Sequence, residues 1–260
     1  MSGAVLDLSV VVPCFDSGDE LGELADRLDG VLDRMGGRSE ILFVNDGYQA
    51  ATWKRIDALA ARIPRLWGIA LDAQVGQHRA TLAGIDQSLG EIVVTLDDDL
   101  EHRPEDIPQL VDALRSRPDV DCVLAAFPEE HRPLLRRAAS AVMDRLYRLR
   151  WGGPPALEMT PFRALRRSLA RQMVASAGAD SFIPRLLLQC SAGMLNVPVT
   201  HAPSRRPSHY STAALARIAW KGLAGGASRG RSLSEAPMYR VRAKTGRRAS
   251  DPRGAVPWAQ

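Results

Sequence analysis

Short runs of β-branched and aliphatic residues alternate with amphipathic helical segments along the first half of this chain, and this alternation constrains the fold more than any other feature. The first unit pairs a strand at residues 8–13 with a helix at 19–35, where leucines recur at helical spacing until Gly36 and Gly37. Further strands and helices are predicted in turn at 40–45, 52–62, 66–71, 78–89, 91–96, 104–115 and 120–125. Repeated β–α–β units predict an α/β fold of Rossmann type, with a mostly parallel sheet and helices on both faces.

The second half of the chain is less regular. Helices are predicted at 134–150, 166–175 and 181–188, followed by a short strand at 196–200. Residues 225–260 hold eight Arg or Lys against two acidic residues and few large apolar side chains, which is typical of a solvated, disordered end. We therefore predict one domain at 1–224 and a disordered basic tail at 225–260, with binding of an anionic membrane surface as a lesser alternative and no nucleic-acid partner.

Cysteine usage and hydropathy favour a cytoplasmic protein. Cys14, Cys122 and Cys190 form neither a CxxC pair nor an even-numbered disulfide framework. No secretory signal pattern precedes the first strand, and the longest stretch without charges, 186–204, is too polar to span a bilayer. The arginine-rich helix at 134–150 has two open interpretations, a solvated face or a peripheral contact with the inner face of the membrane.

Acidic side chains follow four of the predicted strands. They are Asp16, Asp46, Asp72 and the run Asp97, Asp98 and Asp99. In an open parallel sheet the ligand binds outside the carboxyl ends of the strands, so these acids are predicted to share one crevice. A single Asp there could be a helix cap or turn residue, but three after a buried strand are harder to explain in that way. Asp97 and Asp99 alternate and can both reach one Mg²⁺ or Mn²⁺ ion, which usually completes its shell with substrate phosphate oxygens.

The stretch VGQHRATLAGIDQSLGEIVVTLDDDLEHRPEDIPQL, residues 75–110, resembles the family 2 glycosyltransferases of the GT-A fold. Within them it is similar to the polyprenyl-phosphate sugar transferases, the subgroup of dolichyl-phosphate mannose synthase and undecaprenyl-phosphate aminoarabinose transferase. That subgroup has the pattern G-Q-H, A-G, D-A-D-L-Q and P-P-E-x-I-P. The resemblance implies an inverting hexosyltransferase-type enzyme that moves a sugar from a UDP- or GDP-linked donor to a polyprenyl phosphate with a divalent metal.

The same resemblance implies a role for individual residues. The metal ligands would be Asp97 and Asp99, and the catalytic residues Asp99 and Glu158. Asp46 would contact the nucleotide base. The full nucleotide-sugar set is Pro13, Phe15, Asp16, Asp46, Gly76, Gln77, Asp97 and Asp98. The acceptor and phosphate set is Arg163, Arg205, Arg206, His209, Tyr210 and Ser211.

Several positions depart from the family pattern and leave alternatives open. Ser17 stands where the family has Glu, and Asn45 where it has Asp. Leu157 stands where the subgroup has an acceptor-side Asp, so either Glu158 serves after a one-residue slip or that carboxylate is absent. An anionic lipid phosphate needs no strong general base, whereas a hydroxyl acceptor does. The alternatives are a soluble glycosyltransferase acting on a small hydroxyl acceptor in specialised metabolism, and a degenerate member that binds a nucleotide sugar without turnover. A dinucleotide-binding protein is disfavoured because no G-x-G-x-x-G follows the first strand.

Overall fold

An eight-stranded mixed sheet forms the centre of the molecule in a computed structural model that describes residues 6–127, 157–178, 181–200 and 239–246. The strands are β1 Leu6–Cys14, β2 Ser39–Asn45, β3 Leu66–Leu71, β4 Gly90–Thr95, β5 Cys122–Ala126, β6 Arg163–Arg166, β7 Met194–Pro198 and β8 Val241–Thr245. Their order is β7-β5-β6-β4-β1-β2-β3-β8, and β6 and β8 run antiparallel to their neighbours while the other strands are parallel. The predicted α/β class and mostly parallel sheet are confirmed.

Six α-helices in the described part of the chain cover the two faces of the sheet. They are α1 Glu20–Met35, α2 Ala50–Arg62, α3 Gln77–Gln87, α4 Ile107–Ser116, α5 Arg167–Ser176 and α6 Ile183–Cys190, and one 3-10 turn, Pro104–Asp106, leads into α4. The apolar faces of α1, α2 and α4 pack into one core cluster and those of α3, α5 and α6 into the other. None of the helices in these described ranges is long and apolar enough to cross a membrane.

Successive residues of the central strands enter opposite cores. Val10 and Val12 of β1 pack with α1 and α2, whereas Val11 between them packs with α3. All three are fully buried, which is why these strands consist almost entirely of β-branched and aliphatic residues. The sheet is thus a rigid platform whose carboxyl edge carries the polar loops.

A buried carboxylate joins the strands at the opposite, amino edge. Glu40 is 4% exposed and accepts hydrogen bonds from Ser9 Oγ at 2.6 Å, Trp67 Nε1 at 2.9 Å and the Leu89 amide at 2.7 Å. Three donors satisfy a charge that would otherwise be costly to bury. Glu40 therefore holds β1, β2, β3 and the turn before β4 together, far from the carboxyl edge.

Two strands were not predicted from the sequence, and one of them corrects the predicted tail. β6 inserts between β4 and β5, and β8 adds an antiparallel edge strand next to β3. The expectation of disorder throughout 225–260 is wrong for 239–246, because β8 and the residues beside it are ordered against β3 and α3. The predicted helix at 134–150 lies outside the described residues.

Candidate functional site

Asp97, Asp98 and Asp99 follow β4 at the carboxyl edge, and their side chains have different partners. Asp97 Oδ1 accepts a hydrogen bond from Gln77 Nε2 at 2.5 Å, at the start of α3. Asp98 Oδ2 accepts one from Ser17 Oγ, in the loop after β1. Asp99 Oδ1 accepts one from the Glu101 amide at 3.0 Å, which closes a local turn. The carboxylate of Asp98 is therefore directed toward the β1 loop.

Burial and the two neighbouring carboxylates raise the pKa of Asp97 to about 7. The guanidinium of Arg163 and the Gln77 hydrogen bond oppose this rise without cancelling it. A cation bound beside Asp97 would offset the repulsion between its carboxylate and the two neighbouring carboxylates. Metal binding by Asp97 and Asp99 stays a prediction.

A cavity of about 150 Å³ opens beside Asp97, between the end of β4 and the helices α3 and α6. Its lining residues are Pro13, Gln77, His78, Thr81, Thr95, Leu96, Asp97, Met159, Pro161, Arg163, Ile183 and Pro184. The cavity thus joins one acidic group, one guanidinium and several apolar walls. That composition suits a ligand with both a charged and an apolar part.

Arg163, on β6, is the buried cation of this cavity. Only 4% of its surface is exposed, and its Nε donates to the Pro161 carbonyl at 3.2 Å. Its buried Nη1 has no hydrogen-bond partner among the residues that the structure describes. Burial lowers the pKa of Arg163, and the charge of Asp97 partly restores it. A guanidinium is basic enough to stay charged in a folded protein, so this Nη1 can donate a hydrogen bond to an anionic ligand.

His78, at the start of α3, lines the same cavity. Its ring packs edge-on against Phe182, with 4.7 Å between ring centroids. Burial, and then the charge of Arg163, lower the pKa of His78 to about 4. The imidazole is neutral near pH 7, so Arg163 supplies the positive charge of the cavity.

Asp46, after β2, anchors the loop that begins α3. Its two carboxylate oxygens accept hydrogen bonds from the amides of Val75 at 2.7 Å and Gly76 at 2.9 Å. Burial raises the pKa of Asp46, against the effect of these two bonds. The next residue, Gly47, has φ +85° and an added Cβ would lie 2.8 Å from the Gln74 amide nitrogen, so only glycine fits the turn. In the structure Asp46 positions the Val75–Gly76 backbone, and its contact with a base stays a prediction.

The loop after β1 brings Phe15, Asp16 and Ser17 to the same edge. Phe15 is 46% exposed, and Asp16, which adopts φ +51°, is also exposed, so both side chains face solvent at this edge. Ser17 is instead buried and bonds Asp98, and its amide donates to Thr52 Oγ1 at 3.2 Å. The hydroxyl of Ser17 thus pairs with the carboxylate of Asp98. The departure of Ser17 from the family pattern did not reveal this pairing.

His102 contacts the backbone of Asp97. It is 6% exposed, its ring stacks on Phe127 with centroids 5.5 Å apart, and its Nδ1 accepts the Asp97 amide at 3.4 Å. The stack on Phe127 thus positions the ring of His102, and the ring in turn bonds the backbone of Asp97.

Glu158 is not among the residues that line the cavity. Its Oε2 accepts the amide of Phe127 at 3.3 Å, and its backbone is bonded on both sides to the amide side chain of Asn196. Leu157, at the position of the subgroup's acceptor-side Asp, packs against the core. The catalytic role of Glu158 stays a prediction, and its contacts give it a part in joining β5 and β7.

The residues present could supply part of the coordination shell of a metal ion. In the described ranges no cluster of three or more His, Cys, Asp or Glu side chains is arranged to hold a metal ion. Asp97 and Asp99 can offer two carboxylates, and substrate phosphate oxygens would complete the shell, as Mg²⁺ sites commonly require. Five predicted acceptor residues, Arg205, Arg206, His209, Tyr210 and Ser211, lie outside the described residues.

Comparison with known proteins finds relatives over most of the chain. The undecaprenyl-phosphate 4-deoxy-4-formamido-L-arabinose transferase of Edwardsiella ictaluri is 32% identical over 196 residues, which cover 75% of this chain and 60% of the relative. The enzyme of the same name from Pseudomonas aeruginosa is 31% identical over 213 residues, covering 81% and 62%. The chain thus spans about three-fifths of the length of these curated relatives.

Solved structures share the fold at low sequence identity. Glucosyl-3-phosphoglycerate synthase from Mycobacterium tuberculosis, in complex with Mn²⁺, UDP and glucosyl-3-phosphoglycerate, superposes with a TM-score of 0.59 at 18% identity, covering 93% of this chain and 90% of that one. Mannosyl-3-phosphoglycerate synthase from Rubrobacter xylanophilus gives 0.60 at 17%, covering 90% and 79%. The fold is GT-A-like. The family model described as glycosyl transferase family 2 matches residues 9–174, well over half of the sequence, and the chain belongs to that family.

Proposed function

We propose that this chain transfers a sugar from a nucleotide-diphosphate donor to a polyprenyl phosphate, with inversion and with Mg²⁺ or Mn²⁺ on Asp97 and Asp99. The names of the curated relatives support the lipid-phosphate acceptor. The Mn²⁺ and UDP in a solved structure of the same fold support the metal and the nucleotide. Because a polyprenyl chain resides in a bilayer, the proposal requires a peripheral contact with the membrane.

Within the described part of the chain the buried Nη1 of Arg163 lacks a hydrogen-bond partner, and this observation carries the proposal. A buried charged donor without a partner is costly, and a phosphate oxygen satisfies it with a strong, charge-assisted bond. A neutral hydroxyl would pair with the same atom more weakly. The apolar side chains of Met159, Pro161, Ile183 and Pro184 beside it give the acceptor an apolar wall.

The chain's own residues position the donor and acceptor. Gln77 and His102 fix the side chain and the backbone of Asp97, and Ser17 fixes Asp98, so the carboxylate run is preorganised. A divalent cation bound there would neutralise the charge that develops on the departing diphosphate. Arg163 would hold the acceptor phosphate in line with the anomeric carbon.

In the transfer, an acceptor phosphate oxygen forms a bond to the anomeric carbon while the bond from that carbon to the donor diphosphate breaks. The electron pair of the broken bond leaves with the nucleoside diphosphate. Since the attacking oxygen is already anionic, no proton has to be removed. A transfer to lipid phosphate therefore does not require Glu158 as a base, which agrees with its contact to the Phe127 amide.

The experiment offers UDP- and GDP-sugars to the enzyme with Mn²⁺ and either a short-chain polyprenyl phosphate or the matching polyprenol, and identifies products by mass spectrometry. We expect a glycosylated lipid phosphate and no product from the polyprenol. The Arg163→Met variant should lose the lipid product, and the Arg185→Met variant, whose guanidinium bonds Gln189 on its own helix, should keep it. Product from the polyprenol or from a small hydroxyl acceptor alone would refute the proposal, and binding without any product would indicate the degenerate alternative.

A further inference from the structure

The C-terminal edge strand contains a β-bulge. β8 pairs with β3 through Ala243 opposite Ala70 and Val241 opposite Leu71, so Arg242 between them has no opposite residue on β3. Bulges occur preferentially at sheet edges and beside active sites, where they redirect a side chain. Arg242 is the residue that this bulge redirects.

The contacts of its neighbours show where Arg242 would point in a regular strand. Lys244 Nζ donates to Gln87 Oε1 at 3.1 Å on the α3 side of the sheet, and the hydroxyl of Thr245 bonds Asp57 on the α2 side. Strict alternation would place Arg242 on the same side as Lys244. Instead the Arg242 guanidinium carbon lies 4.1 Å from the ring centroid of Tyr48, in the loop that precedes α2.

This contact lies at the carboxyl edge of the sheet, beside the loop that carries Asp46. Tyr48 comes two residues after Asp46, adopts φ +48°, and has its ring 6.0 Å from that of Trp53 between centroids. At the same edge the amide of Asp72, directly after β3, donates to the carbonyl of Arg240 at 2.9 Å. The beginning of β8 is therefore fixed beside the loops that follow β2 and β3.

The contact between Arg242 and Tyr48 lies two strands away from the carboxylates of Asp97, Asp98 and Asp99. Asp97 and Asp99 follow β4, whereas Tyr48 follows β2, with β1 between these two strands. Two strand spacings amount to about 10 Å, comparable to the distance from the diphosphate to the base of an extended nucleotide. A donor with its diphosphate near Asp97 and Asp99 would therefore be long enough to bring its nucleoside to Tyr48 and Arg242 if it lay across β1 toward β2.

We propose that Arg242 binds the nucleoside part of the donor, with its planar guanidinium stacked on Tyr48 and presented to the base or ribose by the bulge. This inference rests on the proposed function, since it needs a nucleotide donor. Guanidinium groups stack on aromatic faces and donate from their edges, so one side chain can contact both the tyrosine and a nucleoside. A segment that composition alone describes as a solvated basic tail would then contribute to donor recognition.

The test is isothermal titration calorimetry with Mn²⁺ and two kinds of ligand, inorganic pyrophosphate and whichever of UDP, GDP, CDP and ADP binds the wild-type chain most tightly. The variants are Arg242→Ala, Arg242→Lys and the control Lys244→Ala, which removes a cation from the same strand on its other side. We expect Arg242→Ala to weaken binding of the nucleoside diphosphate about three- to tenfold, the scale of a partly exposed stacking contact. Arg242→Lys should lose less, and binding of pyrophosphate should not change.

Equal weakening of pyrophosphate and nucleotide would overturn the inference, because Arg242 would then act through the phosphates. Unchanged nucleotide binding in Arg242→Ala would also overturn it, as would an equal loss in Lys244→Ala, which would indicate loosening of β8 as a whole. Circular dichroism and thermal midpoints verify that each variant folds. If the wild-type chain binds none of the nucleotides, the proposed function itself fails, and this outcome differs from a variant without effect.

Discussion

Replacing Asp97 by Asn should stabilise the metal-free protein while removing its activity. Burial and neighbouring carboxylates raise the pKa of Asp97 from 3.8 to about 7, so the folded state holds this proton more tightly than the unfolded state does. That advantage is complete below about pH 4 and is lost as the pH rises through 7. Three pKa units at about 1.4 kcal/mol each set an upper limit of about 4 kcal/mol for the destabilisation of the wild-type fold at pH 8.

The variant removes this destabilisation because Asn is neutral and its side-chain oxygen can still accept the Gln77 hydrogen bond. Relaxation of the loop reduces the effect, and we expect the variant to gain about 1–3 kcal/mol at pH 8 and much less at pH 5, or roughly 3–8 °C in the thermal midpoint at pH 8. The assay is denaturant and thermal unfolding at both pH values with a chelator present.

The matched control is Asp72→Asn, an exposed carboxylate at the same sheet edge whose backbone hydrogen bond to Arg240 is kept. It should change the free energy of unfolding by less than about 0.5 kcal/mol. Saturating Mn²⁺ should narrow the gap between wild type and Asp97→Asn, because the ion binds the folded wild type. The reasoning is refuted if the variant is no more stable than wild type at pH 8, or if its gain is the same at pH 5 and pH 8.

Substitutions at three further positions test separate contacts. Ser17→Ala removes the hydroxyl donated to Asp98 and should lower the free energy of unfolding by about 1–2 kcal/mol together with kcat/KM, whereas Ser17→Thr keeps the hydroxyl and should lose less; equal losses in both would contradict the role of that bond. Glu40→Ala leaves three buried hydrogen-bond donors without their acceptor and should destabilise the fold by about 3 kcal/mol or more in urea unfolding. The KM for the nucleotide sugar should stay unchanged, and a raised KM would contradict a purely structural role of Glu40. Gly84→Ala would place a Cβ 2.3 Å from Val11 Cγ1 and should destabilise by about 1–3 kcal/mol, a loss that would not appear if β1 and α3 could separate freely.

Local patterns in the sequence were sufficient for the elements that form the platform of the site. β3 has the predicted bounds, Leu66–Leu71, because a short apolar run between turn residues has few alternatives in a parallel sheet. The four residues of β6, in contrast, continue directly into α5 and pair only with β4 and β5, which are distant in sequence. No local pattern identifies such a strand.

β8 did leave a signal that the overall charge of the tail obscured. Val241, Ala243 and Thr245 alternate with Arg242 and Lys244, the period-two pattern of an edge strand with charged outward positions. The net charge of the last 36 residues favoured disorder because it averaged over this short alternation.

Some features of the candidate site could be predicted from the sequence, whereas others depend on packing. Asp97, Asp98 and Asp99 could be predicted from their position, since three consecutive acidic residues directly after a buried strand are unusual. The pairing of Ser17 with Asp98, the unpartnered nitrogen of Arg163 and the second role of Asp46 depend on contacts between loops that are far apart in the chain. Such contacts follow from the packing of the loops and have no periodicity in the sequence.

The most direct test of the central claim is metal-dependent transfer of the sugar, followed by mass spectrometry of the polyprenyl phosphate product with wild type and Asp99→Asn in parallel. We predict a glycosylated lipid phosphate that requires Mn²⁺ or Mg²⁺, and no product from Asp99→Asn although the variant folds. Product formed in a chelator, or formed at an undiminished rate by Asp99→Asn, would contradict the assignment of the carboxylate run as the metal site.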